Sequence, residues 1–241
     1  MIFTQAEFNL RCEWGAAGIT QLAPISDVVV IVDVLSFSTS VDIATRNGAI
    51  AFPYRWKDDS ALAYAQSLQA ELAGRDRAAG YSLSPASLLS IPAGTRLVLP
   101  SPNGSTLSLS TGQTPTLTGC FRNCRAIAQY AQTLGANIAV IPAGERWADG
   151  SLRPAWEDWV GAGAILSHLP GTRSPETEAA IAAFHQAKDQ LATSLAHCGS
   201  GKELITRGFA ADVELASQLN VSDCIPRLVN HAYINQSRDR V

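Results

Sequence analysis

The chain has 241 residues, 46% of them hydrophobic, and a formal net charge of −3, enough apolar content for a single domain over 1–241 built as one core or two closely packed lobes. No basic tract is present, which argues against nucleic acid as a partner. The N-terminal MIFTQAEFNLRCEWG is acidic and lacks a long apolar segment, so neither an ordinary signal peptide nor a membrane span is expected.

The first strong element is the β-branched run at 28–34, VVVIVDV, which reads as a strand buried on both faces. A short helix from about Ser38 to Arg46 follows and stops at Asn47-Gly48. GAIAFPYR (48–55) is the next strand. KDDSALAYAQSLQAELAG (57–74) predicts a helix with Ala61, Ala65, Leu68 and Leu72 on one face. Residues 75–93, rich in Ser, Ala, Gly and Pro, read as an irregular excursion. Strands are expected at 95–100, 114–119 and 137–142, and helices at 123–134 and 154–169. Ser174-Pro175 opens a long helix to about His197, with Glu176 and Glu178 in its first turn. ELITRGF and ADVELASQL give two short closing helices. This alternation predicts a largely parallel sheet covered by helices on both faces. The five cysteines, at 12, 120, 124, 198 and 224, are odd in number and scattered. They read as free thiols of a cytoplasmic protein.

In open α/β sheets ligands gather beyond the carboxyl ends of the strands. Four polar segments fall at such ends: Asp33 with Ser36, Ser38, Thr39 and Ser40; Ser101-Pro102-Asn103-Gly104-Ser105; Gly119-Cys120-Phe121-Arg122-Asn123; and Gly144-Glu145-Arg146. Glu157 and Asp158 add two carboxylates early in a helix. An unpaired carboxylate buried in the run at 28–34 would be costly, so Asp33 is expected at the exposed strand end or beside a cation. Its other reading is a helix cap. Several carboxylates without a histidine cluster point to Mg²⁺ before zinc; His168, His185, His197 and His231 show no metal spacing. His197-Cys198-Gly199-Ser200-Gly201 fails as a cysteine phosphatase loop, because Leu204 stands where the arginine is needed, and it is no Walker loop. Leu35 likewise excludes an aspartyl-phosphate motif at Asp33. Metal-assisted hydrolysis without a covalent intermediate is the phosphatase chemistry left.

The ordered set DVLSFSTS (33–40), SPNGS (101–105), GCFRN (119–123), IPAGER (141–146), EDWVGAGAI (157–165) and the ending at 208–226 resembles the 2-phosphosulfolactate phosphatase (ComB) family. The resemblance runs through nearly the whole chain and is least clear at 56–93. It implies a three-layer α/β/α sandwich with a largely parallel or mixed sheet. It also implies Mg²⁺-dependent hydrolysis of 2-phosphosulfolactate to sulfolactate and phosphate, a step of coenzyme M biosynthesis. On that basis Asp33, Glu145, Glu157 and Asp158 are the expected metal ligands, with catalytic roles for Asp33, Glu145 and Asp158 and with Glu145 as candidate base. Ser38, Thr39, Ser101, Asn103, Gly104, Ser105, Arg122, Asn123 and Arg146 are the expected substrate-binding residues. Two positions depart from the family pattern: Ser36 replaces an arginine, and Thr106-Leu107 replaces Arg-Ala. Each lost arginine would cost recognition of a dense anion about 2–5 kcal/mol if its contacts are buried. Arg122, Arg146 and Arg207 are candidate substitutes, and Ser36→Arg is expected to improve use of a sulfonate-bearing substrate. Two alternatives stay open: a phosphatase for a related phosphorylated hydroxy acid lacking sulfonate, and a non-catalytic anion-binding homologue. Trp147, Trp156 and Trp159 are candidates to line the cleft or a homo-oligomer contact, the last two being at core spacing.

Overall fold

The structure, a computed structural model, describes residues 2–55, 58–74, 76–77 and 79–237. Its strands in chain order are β1 (Leu10–Cys12), β2 (Val28–Val32), β3 (Ile50–Tyr54), β4 (Glu71–Leu72), β5 (Arg96–Pro100), β6 (Thr116–Thr118), β7 (Ile138–Pro142), β8 (Glu145–Arg146), β9 (Leu152–Arg153), β10 (Pro226–Val229) and β11 (Ala232–Asn235). The helices are α1 (Gly15–Leu22), α2 (Phe37–Arg46), α3 (Ser60–Ser67), α4 (Gly104–Ser108), α5 (Cys124–Leu134), α6 (Trp156–Leu166), α7 (Pro175–Ala187), α8 (Leu191–His197), α9 (Gly199–Thr206) and α10 (Ala210–Ala216).

Nine strands form one sheet in the order β1-β7-β2-β6-β10-β11-β3-β5-β4. On one side β1, β7, β2 and β6 run parallel, and on the other β3, β5 and β4 do so. The antiparallel hairpin β10–β11 joins the halves, pairing with β6 and with β3. Asn230 and His231, at φ 48° and 63°, make its two-residue turn, the left-handed geometry that matches strand twist. β2 shows why its sequence carries no alternation. Val28, Val30 and Val32 pack into a core that includes α5, α6 and α7, while Val29 and Ile31 pack with Ile19 and Leu22 of α1 on the other face. The result is a three-layer α/β/α sandwich with a mixed, mostly parallel sheet.

Two expected helices differ. The segment 57–74 is helical only to Ser67; Gln69 at φ 50° turns the chain, and Glu71–Leu72 join the sheet edge beside β5. Residue 57 lies outside the described residues. The long helix at 174–197 is two, α7 and α8, separated by a tighter turn at Lys188–Gln190; Ser174 caps the first by accepting the Thr177 N–H. All five thiols are free, and only Cys198 is not fully buried. Trp159 packs against the core and stacks on Trp14, whereas Trp147 and Trp156 are exposed. Among the described residues no helix is long and apolar enough to cross a membrane.

Candidate active site

Asp33 follows β2 and is buried. Its Oδ1 accepts the Phe37 N–H at 3.3 Å, so it does cap the first turn of α2. Its Oδ2 accepts the Gly104 N–H at 2.8 Å and lies 3.5 Å from the Ser101 hydroxyl. One carboxylate therefore couples the end of β2 to the SPNGS turn after β5. Gly104 is required for that approach: a Cβ there would lie 2.7 Å from Asp33 Oδ2 and run into the Phe37 ring. The Ser38 hydroxyl accepts the N–H of Asp33, and the Asp33 carbonyl accepts the N–H of Ser38, fixing the loop between β2 and α2.

Glu145 opens the small hairpin β8–β9 and accepts a hydrogen bond from Asn103 Nδ2 at 2.8 Å. Burial pushes its pKa up to about 7; Asp33 and Glu157 push in the same direction, while Asn103 and Arg153 oppose them. Asp158, in the first turn of α6, has both oxygens engaged by backbone. Oδ1 accepts the N–H of Val34 at 2.7 Å and Oδ2 that of Gly144 at 2.9 Å. Those residues adjoin Asp33 and Glu145 in the chain, so Asp158 fixes the two strand ends that carry them. Burial, reinforced by Asp33 and Glu157, raises its pKa well above the usual carboxylate range. Glu157 is also buried, and it adds to the burial that pushes the Cys198 thiol up.

Asp33, Ser36, Ser101, Asn103 and Glu145 line a cavity of about 170 Å³ together with Arg77, Ser200, Glu203 and Arg207. Glu157 and Asp158 lie behind this wall and not on it. The other expected substrate ligands also turn inward. Ser38 donates to the Ile31 carbonyl, Thr39 to that of Val34 and Ser105 to that of Leu99. The expectation for Arg122 is corrected by its partners: it is buried, its Nε 2.9 Å from Asp42 Oδ2, with Nη1 on the Leu215 carbonyl and the Gln218 side chain. Asn123 is spent on the Cys120 N–H and the Cys224 carbonyl. Arg146 is exposed, donates within its hairpin to the Gly150 carbonyl, and lines a second cavity beside Trp14 that shares Pro102, Asn103 and Glu145 with the first. A strand's carboxyl end thus predicts where a segment lies, but not which way its side chains point. Arg77 went unseen because the excursion at 75–93 has no periodicity. Arg207, weighed only as a substitute, stands in the cavity wall.

Among the described residues no three His, Cys, Asp or Glu side chains form a ready-made metal cage. Asp33 and Glu145, however, face one cleft as neighbouring carboxylates that repel each other. That pair fits a hard cation such as Mg²⁺, which takes one or two protein carboxylates and completes its shell with water and phosphate oxygens.

A mixed α/β sheet with a cleft of carboxylates and arginines beyond its strand ends is the architecture of a site for a small anionic ligand. The family model described as 2-phosphosulpholactate phosphatase matches residues 18–231. A protein of Carboxydothermus hydrogenoformans named probable 2-phosphosulfolactate phosphatase is 29% identical over 210 residues, covering 82% of this chain and 84% of its own. The 2-phosphosulfolactate phosphatase of Methanothermobacter thermautotrophicus is 29% identical over 133 residues, 55% of this chain and 56% of its own. A probable 2-phosphosulfolactate phosphatase of Thermosynechococcus vestitus is 28% identical over 221 residues, covering 83% and 88%. The chain belongs to the 2-phosphosulfolactate phosphatase family and is a phosphoric monoester hydrolase.

Proposed function

We propose that the chain hydrolyses 2-phosphosulfolactate to sulfolactate and phosphate, with Mg²⁺ held by Asp33 and with Glu145, left free of the metal, as general base. The reading is carried by one observation: Asp33, Asn103 and Glu145, from three segments, meet at the wall of one small cavity. The relatives' names supply the substrate. A bound cation would supply polarisation of the phosphoryl oxygens and a more acidic water.

The chain's own groups account for the rest. Ser101 and Asn103 offer hydrogen bonds to phosphoryl oxygens from the rigid SPNGS turn. Glu145, with a pKa of about 7, exchanges protons readily near neutrality. It takes a proton from the attacking water as that oxygen bonds to phosphorus. The bond from phosphorus to the lactate oxygen breaks, and Glu145 returns the proton to that oxygen. Asp158 contributes by holding both carboxylate-bearing strand ends.

The test is phosphate release from phosphosulfolactate, phospholactate, phosphoglycolate and an aryl phosphate, with Mg²⁺ and with EDTA. Mg²⁺-dependent turnover that prefers phosphosulfolactate is expected, and Asp33→Asn should abolish it while leaving the fold intact. Preference for phospholactate would transfer the same chemistry to an ester lacking sulfonate. Full activity in EDTA, or in Asp33→Asn, would overturn the assignment of Asp33.

A further inference from the structure

The cleft holds two arginines that the hydrolytic step does not use. Arg77 is largely buried and is fixed from several sides. Its Nη1 lies 2.8 Å from Asp212 Oδ2, its Nη2 donates to the Ser36 hydroxyl at 3.3 Å, and its guanidinium carbon sits 5.8 Å from the centre of the Phe209 ring. Asp212 is itself held by the Ser84 hydroxyl and the Ala86 N–H, which fix the carboxylate that orients Arg77. Arg207 lies at the same distance from the same ring, and its only ion pair among the described residues is an exposed one with Glu203. Both arginines line the same cavity as Asp33 and Glu145. A planar guanidinium held this rigidly suits bidentate recognition of a carboxylate or sulfonate.

We infer that Arg77, with Arg207 beside it, forms a second anion subsite that takes the carboxylate and sulfonate of the ester while its phosphate faces Asp33 and Glu145. The inference rests on the hydrolytic reading above and names its specificity residue. Arg77 sets the preference for esters carrying anions besides the phosphate, and Asp212 positions it. The contact with Ser36 also means that a longer side chain at 36 reaches the same place.

The experiment compares KM and kcat for phosphosulfolactate, phospholactate and p-nitrophenyl phosphate in wild type, Arg77→Ala, Arg77→Lys, Arg207→Ala and the double variant Ser36→Arg/Arg77→Ala, with thermal melts for each. Arg77→Ala should raise KM for phosphosulfolactate at least about tenfold, as expected for a lost charge-assisted contact. The rise should be much smaller for p-nitrophenyl phosphate, and kcat should change little. Arg77→Lys should recover only part of the loss, and an arginine returned at position 36 should recover more. Arg207→Ala, at an exposed side chain, tests the subsite even if Arg77→Ala does not fold; it should shift KM in the same substrate order. Equal losses on all three esters, or none, in a wild type that prefers phosphosulfolactate would overturn the subsite and leave the hydrolytic reading standing. A wild type that ignores the additional anions would instead overturn the proposed substrate.

Discussion

Glu145→Gln isolates the electrostatic strain that the cleft places on its reactive carboxylate. In the folded protein the Glu145 pKa is about 7, against an ordinary 4.5, chiefly through burial and then through Asp33. A folded pKa above the unfolded one means that the folded state binds the proton more tightly. The group therefore opposes folding least below the ordinary carboxyl pKa, and its cost grows until the pH passes about 7. At about 1.4 kcal/mol per unit the full interval is worth about 3 kcal/mol, and screening at this partly exposed side chain reduces it to about 1–2 kcal/mol. Glutamine carries no charge at any pH and keeps a carbonyl oxygen for the Asn103 amide. Urea denaturation in EDTA should show Glu145→Gln more stable than wild type by about 1–2 kcal/mol at pH 8.5, with most of that advantage gone at pH 5. Phosphate release with Mg²⁺ should fall at least about a hundredfold, the scale of a lost general base. A variant no more stable at pH 8.5, or one whose advantage does not depend on pH, would refute the claim that the fold strains Glu145.

Two substitutions test residues by opposite outcomes. Arg122→Met removes the partner of fully buried Asp42 and should destabilise the fold by about 3–5 kcal/mol. The protein that remains folded at low temperature should keep kcat/KM within about threefold; a tenfold loss in stable protein would return Arg122 to the substrate site. Gly104→Ala forces the SPNGS turn away from Asp33 Oδ2 and Phe37. It should cost about 1–3 kcal/mol and reduce kcat more than the melt alone accounts for, whereas unchanged turnover would show that the Gly104–Asp33 bond does not set the site's geometry.

Much of the fold was legible wherever local chemistry decides structure. The run at 28–34 has to be buried on both sides, Asn47-Gly48 has to end a helix, and Ser174 has to begin one. Long-range pairing was not legible. PRLVNHAYIN shows no strong alternation because β10 and β11 lie inside the sheet, between two parallel halves, and only the sheet as a whole tells where they belong. Glu71 and Leu72 fit a helical face as well as they fit an edge strand; the partner β5 decides. That Asp33, Asn103, Gly104 and Glu145 come together was legible because each closely follows a strand. The misplacement of Arg122, Ser38, Thr39, Ser105 and Asn123 has one cause: polar side chains at strand ends satisfy buried backbone first, and nothing in the sequence marks which of them remain for a ligand.

The four carboxylates sort by who donates to them. Asp158 is answered by two backbone N–H groups, and neither it nor Glu157 lines the cavity. Asp33 accepts one backbone N–H on each oxygen, and its Oδ2 also lies 3.5 Å from the Ser101 hydroxyl in the cavity wall. Glu145 has the Asn103 amide as its hydrogen-bond donor and is pushed towards neutrality. A carboxylate saturated by backbone holds geometry, while one left short of donors beside another negative charge must bind a proton or a cation. Of the two carboxylates that line the cavity, Glu145 on the hairpin β8–β9 is the one shorter of donors, in a wall it shares with Asp33, Arg77 and Arg207.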